Sequence, residues 1–492
     1  MGDDWEYANP HASSLIEAAR GFGYTPEAAV ADLVDNSISA QARNIAIQFQ
    51  WAGEQSTVKV LDDGKGMSEK TLANAMRLGS TSPLANRHES DLGRFGLGLK
   101  TASFSQAREL TVVSRTHKGG AIAVRRWDLD AVEATGEWRL HTSLAQGNEL
   151  GVESTTGTSV QWSNLDRLVG SVDVKEKKAH TRFLDTIDRV HSHLEATFQR
   201  FLVGRGRIRI TVNGKLVEPW DPFMLTNPAT QTLDEEELPF KGNLIRVRPY
   251  VLPHRSKLTE AEARRGAGAH GWNQQQGFYL YRSGRLLLQG DWLGLGITRD
   301  EHTKLARIAI DFPASLDHDW QVDVRKSTAR PPGELSESLK RIAQATRKKA
   351  EEVYRHRGKV LARKSTRSFV FAWQQYKDRD GHIRYKVNRD HPVITTMLTA
   401  AGKERPLLER ALRFIEETVP TTMIGVEIAQ SLDSQPAPFG QTKREIAPLA
   451  KFVIEGLIHD GAPAEEAFAL VAASEPFSQH PEVLATLKEA IR

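Results

Sequence analysis

Along the first third of the chain the apolar positions switch repeatedly between a helical and a strand period. From Pro26 to Ala40, Val30, Leu33, Val34, Ser37 and Ile38 share one side of a 3.6-residue turn. Asp32, Asp35, Asn36 and Ser39 share the other. Thr25 is a suitable cap, Pro26 suits the first helical position and Glu27 the first turn, so the spacing predicts a helix. Ile45, Ile47, Phe49 and Trp51 then alternate as a half-buried strand, and Thr57–Leu61 forms a second. Ser68 caps a helix running to Arg77, and strands follow at Glu109–Ser114, Ala121–Asp128 and Thr158–Trp162. Ahead of these, Ser14–Arg20 reads as a short helix and Gly21–Tyr24 as a turn, an arm packed on the domain or on a partner.

Further on, residues 166–200 read as a connecting helical segment. A second α/β region follows from about Phe201 to Pro332, with strand signals at 208–214, at Gly277–Leu288 and at Ala306–Phe312. After Pro331-Pro332 a long helix is expected over about Glu334–Leu361. Phe369–Trp373 and the Asp380-Gly381 turn predict a hairpin, and helices are expected near Leu407–Thr418, Arg444–Ile458 and Pro463–Ala473. The expected domains are 1–165, a connector 166–200, 201–332, a basic helix 333–364 and a C-terminal region 365–492. No repeat and no low-complexity tract appears.

A chain of 492 residues is too long for one core, which agrees with about three domains. No apolar run approaches the roughly 18 residues of a membrane span, and the N-terminus lacks a signal-peptide pattern. A cytoplasmic protein with no membrane partner is expected. The absence of cysteine excludes disulfides and thiolate metal sites. The histidines show no zinc spacing, and His191 with His193 reads as a solvated helix face. Net charge is only +4, but residues 331–367 hold eleven Lys/Arg against four Glu, a local +7. That excess points to a polyanion such as DNA, the alternative being a solvated helix.

Candidate chemistry lies in four stretches. The polar stripe of the first long helix carries no Lys, Arg or Glu, only short groups suited to a water and a metal held near the backbone. Asp62-x-Gly64-x-Gly66 ends a strand; its glycines let the backbone turn tightly beside a flat ligand, and Asp62 can accept a hydrogen bond from an exocyclic amine. Gly79–Pro83 opens a polar, lid-like segment to Asp91. Gly93-xx-Gly96-x-Gly98 then precedes a helix, a nest of N–H groups to which Lys100 and Thr101 add a cation and a hydroxyl suited to phosphate. The order is neither a Walker loop nor GxGxxG. Gly157-Thr158 offers a further hydroxyl.

Taken together, Asp32/Asn36, Asp62-x-Gly64-x-Gly66, Gly93-xx-Gly96-x-Gly98 and Gly157-Thr158 resemble the four boxes of the GHKL ATPases. That superfamily includes the ATPase component of DNA gyrase, the ninety-kilodalton heat-shock chaperones, histidine kinases, MutL and MORC proteins. The resemblance implies an N-terminal Bergerat-type α/β sandwich, a transducer-like (S5-like) α/β domain and a mostly helical C-terminal region. It implies ATP and Mg²⁺ as ligands, with Asn36 holding the metal and Asp62 reading the adenine amine. By the same resemblance Ala40, Gly64, Gly66, Met67, Gly93, Arg94, Phe95, Gly96, Leu97, Gly98, Leu99, Lys100, Thr101 and Thr158 contact nucleotide. One departure matters. Family members that hydrolyse ATP usually carry Glu four residues before the Asn, whereas here the position is Asp32, a base one methylene shorter. The stretch Val322–Arg330 resembles the transducer loop that reaches the γ-phosphate, with Lys326 the contact.

The glycine loop looks closest to the MORC and MutL branches. This implies an ATP-driven homodimeric clamp on DNA, met by the basic helix over 334–367, and a restriction or phage-defence role. The C-terminal third reads as an interaction module for protein partners. Two alternatives stay open: a chaperone-like ATPase with a protein client, and an ATP-sensing scaffold that barely hydrolyses. A histidine kinase is disfavoured, because the ATP boxes lie N-terminal rather than behind a dimerising His helix.

Overall fold

The computed structural model describes residues 11–21, 23–79, 98–145, 156–323, 326, 328–355, 370–377, 383–420 and 443–490. These fall into two compact units, 1–354 and 355–492. The first unit opens with α1 (Ala12–Arg20), α2 (Pro26–Ser39), β1 (Asn44–Gln50), β2 (Thr57–Asp62), α3 (Glu69–Met76), α4 (Gly98–Phe104), β3 (Glu109–Arg115), β4 (Ala123–Asp128), α5 (Leu129–Thr135), β5 (Gly157–Ser163), α6 (Lys177–Thr197), β6 (Arg209–Val212) and β7 (Lys215–Leu216). The seven strands form one sheet in the order β4-β3-β5-β2-β1-β6-β7. Helix α2 begins where its cap predicts, with Thr25 Oγ1 accepting from the Ala28 amide at 3.4 Å. Its apolar side, Ala29, Val30, Leu33 and Val34, packs with Ile45, Ile47, Phe49, Val58 and Val60 of the sheet. Arg20 of α1 is buried and ties the N-terminal helix down through the Ala107 carbonyl and, at 2.5 Å, Asp166.

Three expectations change here. Helix α6 is no mere connector: Phe183, Val190 and Leu194 enter the same core as α2, and Phe183 meets the Phe49 and Trp51 rings at 5.8 and 5.4 Å. The strand–turn–strand at 208–214, expected in the second domain, belongs to the first sheet. The reason is pairing: Arg209–Val212 run parallel to Asn44–Ile47 and cover the edge of β1. His191 and His193 are not a solvated face either. His191 is buried, its Nε2 3.3 Å from the Leu216 carbonyl, while His193 meets the Thr197 hydroxyl at 3.2 Å.

The rest of this unit comprises β8 (Gln231–Thr232), β9 (Glu236–Phe240), β10 (Asn243–Val251), α7 (Glu260–Ala267), β11 (Gly277–Arg282), β12 (Arg285–Asp291), β13 (Ala306–Phe312) and α8 (Ser336–Arg355). A second sheet runs β12-β11-β13-β10-β8, with β9 also on β10. Between β11 and β12 only Ser283 and Gly284 turn the chain, both at positive φ (47° and 85°), as a tight two-residue hairpin requires. The expected basic helix is α8, which buries Leu339, Ile342, Ala343 and Ala350 in the second core. Residues 356–367 of the expected stretch lie outside the described residues.

The second unit holds the expected hairpin, β14 (Trp373–Lys377) with β15 (Ile383–Val387), and helices α9 (Pro392–Ala400), α10 (Arg405–Glu417), α11 (Lys443–His459), α12 (Ala464–Ala472) and α13 (Pro481–Ala490). Its core gathers Ile446, Val453, Ile454, Val471 and Phe477. Helix α10 buries none of its residues and exposes Leu407, Phe414 and Ile415. No described helix is long and apolar enough to cross a membrane.

Candidate active site

Helix α2 spaces Asp32 and Asp35 three residues apart, so their carboxylates lie on one side of it. Neither faces water: Asp32 is 2% and Asp35 0% exposed. They are covered by two cations from the second half of the unit. Lys326 places Nζ 3.0 Å from Asp32 Oδ1 and 2.5 Å from Asp35 Oδ2. Arg285 places Nε 2.9 Å from the Asp35 carboxylate and Nη2 3.9 Å from Asp32. Two buried carboxylates against two buried cations leave no net charge inside, the condition under which such a cluster can be buried.

Tyr24, from the turn ahead of α2, donates its hydroxyl to Asp32 Oδ2 at 2.8 Å. Burial, and then the Asp32 carboxylate, push that hydroxyl well above the ordinary tyrosine range, so it stays neutral and donates. Burial pushes Asp32 above the ordinary carboxylate range, with Lys326 the strongest opposing influence. Gly98, at the start of α4, packs so closely that a Cβ there would lie 3.2 Å from Asp32 Oδ2. Thr101 hydrogen-bonds Tyr24, and Asn36, next to Asp35, is exposed.

Asp62 also leans on α2. Ser37 donates to its Oδ2 at 2.9 Å, and the amide of Gly64 to its Oδ1 at 2.9 Å. Burial raises its pKa, while the Gly64 amide and the Ser37 hydroxyl act against that. The glycines of this loop were expected to admit a flat ligand, but the closest constraint on them is the protein's own backbone. A Cβ on Gly64 would lie 2.8 Å from the Ala40 carbonyl. Gly66, at φ +62°, runs so close to Arg115 that a Cβ would lie 2.0 Å from its carbonyl oxygen. The same loop is pinned by the Met67 amide, which donates to Ser114 Oγ at 2.8 Å. Ser114 and Thr158 share a hydrogen bond of 2.9 Å across β3 and β5.

Of the glycine-rich stretch, Gly98, Leu99, Lys100 and Thr101 are described. Gly93, Arg94, Phe95, Gly96, Leu97 and the expected lid from Ser80 to Asp91 lie outside the described residues. Lys100, expected to meet phosphate, is buried and donates Nζ to the Ala75 carbonyl at 2.8 Å. Burial lowers its ammonium to about 8.

The donor set fits the expected ligands. Asp62 receives hydrogen bonds from Ser37, the Gly64 amide and the Thr158 backbone and, as a carboxylate with about four lone-pair sites, keeps capacity for an adenine amine. Among the described residues no group of three or more His, Asp or Glu forms a metal cage. Mg²⁺ keeps waters and substrate phosphates as most of its ligands, and the exposed Asn36 amide is a side chain that would reach it. Sequence reasoning missed Tyr24, Ser37, Ser114 and Arg285 as parts of the site and left Asp35 without a role. An arginine leading the apolar run Leu286–Leu288 is the one signal that pointed to Arg285.

Residues 24–158 match the family described as histidine kinase-, DNA gyrase B-, and HSP90-like ATPase. ATPase morc-1 of Caenorhabditis elegans is 35% identical over 124 residues, 25% of this chain and 14% of that protein. The DNA mismatch repair protein MutL of Shewanella baltica is 28% identical over 204 residues, 40% of this chain and 28% of that protein. MutL of Shewanella oneidensis is 28% identical over 228 residues, 45% of this chain and 32% of that protein. These matches span less than a third of each relative's own length. Over residues 24–158 this chain is therefore similar to the GHKL ATPases, and it shares stretches with MORC and MutL proteins.

Proposed function

We propose that this chain is a Mg²⁺-dependent ATPase in which nucleotide brings two copies together as a clamp on DNA. The observation that carries the reading is the meeting of Asp32 with Lys326, a lysine 294 positions away, inside a buried site on α2. In this reading Asp32 is the general base for the attacking water and Asn36 holds the metal. Asp62 accepts from the adenine amine, and Ala40, Gly64, Gly66, Met67 and Thr158 form the wall around it. Residues 93–101 hold phosphate, with Lys100 and Thr101 at the helix start. When bound, ATP would supply the γ-phosphorus that water attacks with ADP as leaving group, and Mg²⁺ would supply positive charge against the phosphates. Lys326 is shared here between Asp32 and Asp35; turning it toward a phosphate removes a cation from Asp32. A carboxylate freed of a neighbouring cation is the stronger base, so the same movement arms Asp32.

The DNA part of the reading rests on the +7 excess of residues 331–367 and on the exposed Lys340 and Lys348 of α8. Part of that charge is already balanced within the protein, Arg341 by Glu236 and Lys349 by Glu352. A cytoplasmic restriction or phage-defence setting comes from the resemblance to prokaryotic MORC-like proteins. The test is steady-state ATP turnover by the full chain, with and without duplex DNA. Turnover that rises with DNA is expected; turnover indifferent to DNA moves the reading to a protein client. Replacing Lys348, Lys349, Arg355 and Arg357 by Gln should lower the salt slope of DNA binding by about 3 to 4. The hold of Lys326 on Asp32 favours one second reading, an ATP-sensing scaffold, for which ATP binding without turnover is the signature.

A further inference from the structure

Arg285 has no part in the chemistry above, yet it is 2% exposed and reaches α2 from the second sheet. It follows the tight Ser283-Gly284 turn, and Arg282 precedes that turn. Arg282 is buried too, its Nε 2.7 Å from Asp317 Oδ1. Asp317 opens the stretch that delivers Lys326: its carbonyl accepts from the Val322 amide at 3.1 Å, and the Arg330 amide returns to the Trp320 carbonyl at 2.7 Å. One hairpin tip therefore holds the approach to Lys326 with one arginine and Asp35 of α2 with the other.

We propose that Arg285 is a positioning residue for ATP hydrolysis. It sets the separation of Asp32 from Lys326, and it keeps Asp35 paired when Lys326 turns to phosphate. Without it, departure of Lys326 leaves two buried carboxylates three residues apart with no buried cation, an arrangement that holds Lys326 in place instead. Arg285 thus acts on turnover and not on adenine recognition, which belongs to Asp62.

The inference rests on the ATPase reading, and one experiment separates the two. ATP affinity by calorimetry and kcat are measured with Mg²⁺ for the full chain, for Arg285→Gln, Arg285→Lys and Asp35→Asn, and for the Asp35→Asn/Arg285→Gln double variant. Arg285→Gln should lose at least tenfold in kcat with ATP affinity within threefold of the parent. Arg285→Lys, which keeps the charge, should recover most of that loss. The double variant should be at most about twofold slower than Asp35→Asn alone, because Arg285 has then lost its close carboxylate partner and keeps only the 3.9 Å approach to Asp32. If Arg285→Gln does not melt cooperatively, Arg285→Lys and the double variant decide. An Arg285→Gln kcat within twofold of the parent, or losses that simply multiply in the double variant, overturn the role of Arg285 alone. Absence of ATP turnover in the parent chain overturns both readings.

Discussion

Asp32 and Asp62 both lean on helix α2, and their surroundings are built on opposite plans. Asp62 draws on Ser37 and on the amide of Gly64, two positions ahead of it. Those donors are neutral and come from the same sheet and helix, and at Gly64 the backbone leaves no room for a Cβ. Asp32 draws on Tyr24 and on Lys326, with Arg285 behind, and both cations arrive from the second half of the unit. A neutral hydroxyl has no reason to leave for a phosphate, whereas an ammonium does. In the proposed reading the contrast separates recognition from chemistry. One carboxylate is held by neutral donors, and the electrostatic setting of the other depends on cations from the second half of the unit.

Exchanging each carboxylate for its amide breaks the comparison most directly. Asp32→Asn should keep nucleotide affinity within a few-fold and lose about 100-fold or more of kcat, the scale of a removed general base. Asp62→Asn should do the reverse, weakening ATP binding by about 30-fold, the worth of one hydrogen bond to a charged group. Binding by calorimetry and turnover at saturating ATP separate the two. If Asp62→Asn lowers kcat alone, or Asp32→Asn lowers affinity alone, the assignment of roles is inverted.

The same contrast explains which features are legible in the sequence alone. The caps at Thr25 and Ser68, the alternation in β1 and the Asp62 loop are legible because each depends on residues a few positions apart. The polar stripe of α2 is legible as a site, but not as a buried one, since the cations that bury it lie 250 and more positions away. Likewise nothing local in residues 208–214 distinguishes a strand that pairs with β1 from one that starts a new sheet, so sequence alone sets the boundary too early. His191 and His193 share the same cause: their spacing says helix, and only packing against α2 and β7 says which side is covered.

A smaller effect tests the phosphate side of the Asp32 region. Lys100 stands two residues beyond Gly98, and burial lowers its ammonium to about 8. If it meets phosphate as a cation, ATP affinity should fall by about tenfold between pH 7 and pH 9 as the proton leaves. Lys100→Arg should flatten that dependence, because a guanidinium stays charged throughout. Affinity measured across this range with equal slopes in both proteins would remove Lys100 from the phosphate contacts.

The smallest predicted effect concerns stability. His193 is held neutral in the fold, its pKa lowered to about 4 by burial and then by Arg285. The unfolded chain takes up this proton near 6.5, so between the two values the unfolded state binds more protons and stability rises with pH. The contribution is complete above pH 6.5 and is lost as pH falls through about 4. Urea unfolding at pH 7 and pH 5 should show the parent losing about 2 kcal/mol more than His193→Asn, with carboxylate titrations common to both proteins cancelling in the difference. Equal losses would mean that His193 titrates normally despite Arg285. The cluster on α2 would then stand open to water on its α6 side, and the picture of Asp32 as a sealed, cation-controlled base would lose its electrostatic ground.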